Sequence, residues 1–122
     1  MKSNCEYTDY LQDILDAAGK AMRFVKDVDF EAFCANEEKA FAVIRALEII
    51  GEAAKNIPKS IRGRYTEIPW EDIVGMRNKV IHGYFGVDLK VIWKTIHEDL
   101  PPLRAAVARI LEDLKKKRNT KI

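Results

Sequence analysis

Apolar residues recur at steps of three and four along most of this chain, and no stretch of useful length alternates with period two. That pattern commits the sequence to helices. Leu11, Ile14, Leu15, Ala18, Met22 and Val25 make the first stripe, with Thr8 or Asp9 as its expected cap. Asp27 to Asn36 reads as a connector with a helical turn around Phe30 and Phe33. Asn36 is placed to cap a central helix whose first turn holds Glu37 and Glu38, where the macrodipole favours carboxylates. Phe41, Ile44, Leu47, Gly51 and Ala54 form its stripe, widened by Ala40, Val43 and Ile50. Ala46, Gly51, Ala53 and Ala54 permit close helix approach, so this helix is expected to pack on more than one neighbour and to end before Pro58.

Pro58 to Pro69 reads as a polar, basic connector carrying Lys59, Arg62 and Arg64. The spacing predicts a helix over Trp70 to Ile81, closed by Gly83 and Gly86. Asp88 is the expected cap of a short helix with Leu89, Ile92, Trp93 and Ile96. Asp99, followed by Pro101 and Pro102, signals a new start, and Leu103, Ala106, Val107, Ile110, Leu111 and Leu114 give the last helix its stripe. Four to five helices with mostly short connections predict an all-α antiparallel bundle. The 122 residues are expected to form one domain, with a basic tail from about residue 115 (Lys115, Lys116, Lys117, Arg118 and Lys121) that frays or, as the alternative, contacts phosphate.

Charge and cysteine content narrow the setting. Twenty-one basic and nineteen acidic residues leave a net charge of +2, too balanced to argue for nucleic acid without knowing where the charge sits. Cys5 and Cys34 fall in no paired motif and are expected to be free thiols in a reducing cytoplasm. There is no apolar signal segment, and Arg45 and Glu48 interrupt the most apolar region, so no bilayer span is expected.

Few chemistries fit what remains. Bundle metal sites use Glu-x-x-His pairs, but Lys79 and Lys94 stand three places before His82 and His97, so neither a metal nor a cofactor is expected. No nucleophile elbow or phosphate-binding glycine loop is present. His97, after Trp93 and Ile96, is expected to cap or pack a helix end. The run from Gly75 to Tyr84 differs, gathering Arg77, Asn78, Lys79, His82 and Tyr84 in eight positions. Arg77 offers a planar fork for phosphate and Lys79 a point charge. His82 can give and take protons near neutrality, and Tyr84 supplies a phenol. Five positions separate Arg77 from His82, about 140° on an ideal helix, so the two meet only if the arginine reaches around, if the helix breaks near Gly83, or if another chain brings its own copy near. With eight arginines present, such a spacing arises readily by accident, and the case for it rests on its neighbours.

Those neighbours carry a resemblance. Arg45 to Ala53 in the central helix, Ile68-Pro69-Trp70, Gly75 to Asn78, His82 to Phe85, Val87-Asp88, Val91-Ile92-Trp93 and Asp99-Leu100-Pro101 appear in order and at family-like spacing. The chain resembles the HepT toxins of the HEPN superfamily, partners of a minimal nucleotidyltransferase antitoxin (MntA). The resemblance implies a helical bundle that forms a homodimer and a metal-independent endoribonuclease that cleaves RNA through an Arg-x4-His motif. Arg77 and His82 would then be catalytic, with Asn78 and Lys79 supporting them at the phosphate. Tyr84 would accept AMP from the nucleotidyltransferase and so silence the toxin. The alternative is a catalytically silent HEPN module that binds nucleotide or RNA and partners the nucleotidyltransferase.

Overall fold

The computed structural model describes the backbone of residues 2–82 and 88–120, and the side chains of residues 7–76 and 88–116. Every regular element among them is helical. Four are long: α1 (Lys2–Phe24), α3 (Glu37–Lys55), α5 (Trp70–His82) and α7 (Leu100–Thr120). Three are single short pieces: α2 (Phe30–Ala35), α4 (Lys59–Arg64) and α6 (Leu89–Lys94). A π-helical turn, Thr95–Asp99, joins α6 to α7.

The expected all-α bundle is the observed one. α1 packs on both α3 and α7, and α3 also packs on α5, which makes α3 the central helix its wide apolar face foretold. Val43, Ile44, Ala46, Leu47, Ile50, Gly51, Ala53 and Ala54 are all buried there. Leu11, Ile14, Ala18 and Ala21 of α1 and Leu103, Val107 and Ile110 of α7 complete the core from the other side. No charged or polar residue is buried among the described residues, so the core is purely apolar.

Asn36 ends one helix and begins the next. Its backbone N–H donates to the Phe33 carbonyl, and its side-chain oxygen accepts from Lys39 N–H at 3.0 Å. Asp29 caps α2 and Asp88 caps α6 in the same manner. Between α1 and α2, Asp27 takes a left-handed conformation with φ of 60°, which short polar side chains tolerate better than most.

Three expectations need correction. Thr8 and Asp9 are not caps, because α1 already begins at Lys2 and both lie inside it; the apolar stripe starts later than the helix does. The 58–69 connector is not irregular throughout. Pro58 fits the first position before a helix, Ile61 gives the segment one buried anchor, and α4 forms. Asp99 does not start a separate helix, since the Leu100 N–H donates to the Thr95 carbonyl and carries the chain through without a break. Pro101 and Pro102 then follow at the start of α7, directly after the wide turn.

Candidate active site

The motif is carried by α5. Its entry is fixed by Trp70, whose indole N–H donates to the Tyr65 carbonyl at 2.9 Å while the ring is buried. Glu71 and Asp72 complement the dipole in the first turn, and Ile73 and Met76 face the core. Arg77, Asn78, Lys79 and His82 follow on the same helix, so the predicted boundary at Ile81 is met within one residue. The backbone separation of Arg77 and His82 is therefore helical, about 7.5 Å of rise. The side chains of these four residues, and Tyr84 altogether, lie outside the described residues.

The surroundings of the motif are well defined on its N-terminal side. A cleft of about 280 Å³ lies between α5 and the start of α7, with Met76 among its lining residues. Ile68, Ile73 and Leu103 form its apolar floor, and Glu67, Asp72 and Asp99 stand on its rim. A methyl group added to Gly75 would meet none of the described residues within 4 Å.

Behind the π turn the aromatic residues close ranks. Trp93 lies 5.8 Å from Phe30 and 5.3 Å from Phe33 between ring centroids, and His97 lies against it at 4.2 Å. His97 Nδ1 is 2.9 Å from the Trp93 carbonyl oxygen, which accepts its proton. His97 thus packs on Trp93 as expected but stays exposed, and it lies within a helix that continues into α7 rather than at a helix end. Cys34 is a free, exposed thiol, and no group of three or more His, Cys, Asp or Glu that could hold a metal occurs among the described residues.

Two contacts invisible to local sequence reasoning hold the 65–69 connector against α7. The Tyr65 hydroxyl donates to Asp113 at 3.1 Å, and the Arg109 guanidinium donates to Glu67 at 3.2 Å. Burial first, then the Asp113 carboxylate, raises the Tyr65 phenol above its ordinary value, and Arg64 opposes them.

The profile of the family described as Ribonuclease HepT-like matches residues 14–110, a span that contains α5 and the whole Arg77 to Tyr84 run. The chain belongs to the HepT-like family. Among its HepT-like relatives, the Probable ribonuclease HepT of Thermococcus cleftensis is 47% identical over 104 residues, covering 85% of this chain and 94% of that one. A protein provisionally named an RNase in Methanocaldococcus jannaschii is 44% identical over 108 residues, 88% of this chain and 93% of its own. Another so named, from Caldanaerobacter subterraneus subsp. tengcongensis, is 44% identical over 103 residues, 84% and 92% of the two chains. No solved structure matches this HepT-like chain. No helix among its described residues is long and apolar enough to cross a membrane.

Proposed function

We infer that this chain is an endoribonuclease, the toxin of a HEPN–nucleotidyltransferase pair acting in the cytoplasm. The observation that carries this reading is the family match over 14–110, which takes in an unbroken helix bearing both Arg77 and His82. In the mechanism it supports, the 2′-hydroxyl of RNA attacks the adjacent phosphorus as a base takes its proton. The P–O5′ bond breaks, and an acid protonates the leaving oxygen, giving a 2′,3′-cyclic phosphate. A homodimer supplies two copies of His82 for these transfers and two of Arg77 for the phosphorane charge, with Asn78 and Lys79 at the phosphate. Positioned acid–base catalysis contributes typically about 10²–10⁴-fold, and preorganised charge several kcal/mol more.

The test is RNA cleavage by pure protein in the presence of a chelator. Arg77→Ala and His82→Ala should each lower the rate by at least about 10²-fold while circular dichroism stays unchanged. Cleavage that survives either change removes the assignment; no cleavage by the unaltered protein, with RNA or nucleotide still bound, favours the silent module.

Silencing in this scheme is AMP transfer to the Tyr84 hydroxyl from ATP, with pyrophosphate leaving. The added phosphate brings negative charge and bulk next to the motif and repels the RNA backbone. Incubation with the cognate nucleotidyltransferase and ATP should add one or more AMP masses on Tyr84, none on Tyr84→Phe, with loss of cleavage. Modification mapped to Tyr65 or Tyr10, or equal inhibition of Tyr84→Phe, leaves occlusion by the partner as the explanation.

A further inference from the structure

Residues 53–66 hold Lys55, Lys59, Arg62 and Arg64 and not one carboxylate. The fold adds more positive charge to the same place. Tyr65, which follows α4 directly, bonds to Asp113 and Glu67 bonds to Arg109, so the chain just after α4 is tied to the C-terminal half of α7, which presents Arg109 and Lys116 on that side. Arg64 reaches the Tyr65 phenol, and Lys116 shares a groove with Tyr65 and Asp113. Lys55, Lys59, Arg64, Arg109, Lys115 and Lys116 are exposed, and Arg62 is half-buried with its Nε donating to the Ile57 carbonyl. The carboxylates of that groove are Glu67, Glu112 and Asp113, with Glu52 one turn before Lys55 on α3, and Glu67 and Asp113 are engaged by Arg109 and Tyr65. One end of the bundle is therefore cationic, although the chain as a whole is nearly neutral.

We propose that this α4–α7 end is a second binding site for the phosphodiester backbone of single-stranded RNA, separate from the motif on α5. The proposal rests on RNA being the substrate, and it adds to that reading a length requirement. Met76 lies beside Leu103 in the cleft, and Tyr65 beside Asp113, ten residues further along α7. The cationic end thus begins about 15 Å from the cleft at Met76, and the motif continues from Met76 in the opposite direction along α5. At about 3.4 Å per stacked nucleotide, roughly five to seven nucleotides bridge the two. The cleft between them carries Asp72 and Asp99, whose carboxylates repel phosphate.

The experiment compares affinity for a trinucleotide and a 20-nucleotide single-stranded RNA by fluorescence anisotropy across a salt series, in chelator. The proteins are the full chain and Lys59→Gln/Arg64→Gln/Lys116→Gln, with Lys59→Gln/Lys116→Gln as a gentler pair should the triple variant melt early. For the long RNA, the triple variant should flatten the slope of log affinity against log salt by about 2, and weaken binding up to about a hundredfold near 0.1 M salt. The trinucleotide, which reaches only one site at a time, should lose far less affinity than the long RNA. Unchanged binding of long RNA overturns the site. So does an equal loss for both lengths, which would mean a diffuse field, or loss of binding to the nucleotidyltransferase alone, which would make this a protein interface. Cleavage is read separately: length-dependent binding without cleavage sinks the ribonuclease reading and leaves this site standing.

Discussion

The Tyr65 hydroxyl and the Asp113 carboxylate lie 48 positions apart in sequence and 3.1 Å apart in space, and that bond fixes where α4 sits. No local pattern could have announced it, because neither residue belongs to a stripe, cap or motif. His97 shows the opposite case: its apolar and aromatic neighbours at helical spacing were enough to predict a packed histidine. Arg77 and His82 fall between the two, since Arg77 was legible as helical, the helix runs one residue past its expected end to take in His82, and the side chains of both lie outside the described residues. Tyr65 also carries a pH dependence. Its phenol is raised by burial and by Asp113 in the folded state, so the fold holds that proton more tightly than the unfolded chain does. The stability it contributes is present below the ordinary tyrosine value of 10.0 and is lost as pH rises through the folded one. Tyr65→Phe should cost about 1 kcal/mol at neutral pH and remove this component of the alkaline loss. Thermal melts at pH 8 and above 10 check both, and an alkaline limb that keeps its full steepness in Tyr65→Phe would place the titration elsewhere.

Among the elements, those with a long stripe and a capping residue were read well, and those without were not. α3 and α5 begin where Asn36 and Pro69-Trp70 said they would. α4 was missed because six residues with one buried isoleucine offer no periodicity to detect; its stability comes from tertiary packing, which propensity does not record. Asp99-Leu100-Pro101-Pro102 misled for a definite reason, as proline in a first helical turn is equally compatible with a helix entered through a π turn. Asn36 matters more than an ordinary cap because α2 and α3 share it. Asn36→Ala should cost about 1 kcal/mol, lowering the melting temperature by about 4 °C. Asn36→Asp should retain most of the stability. Equal losses for both variants would mean the side-chain bond to Lys39 N–H contributes nothing.

For the molecule as a whole, the bundle class followed from periodicity alone, whereas the order of packing, with α3 between α1 and α5, needed three-dimensional contacts. The candidate site was legible in residue type and incomplete in geometry, because one chain carries one copy of the motif and the chemistry proposed for it asks for two acid–base groups. Sedimentation of the pure protein should therefore show a dimer. Mixing His82→Ala chains with normal ones should give heterodimers whose cleavage falls well below half that of the normal dimer; half activity would mean that each chain works alone. The π turn at Thr95–Asp99 holds a different kind of consequence, one for descent rather than stability. A wide turn reads as one residue accommodated without breaking the helix around it. A relative descended from a form without that residue should show a single gap there, with the stripe Leu103, Val107 and Ile110 still facing α1. The turn would then be a record of an insertion that the core survived by letting the helix swell at one point.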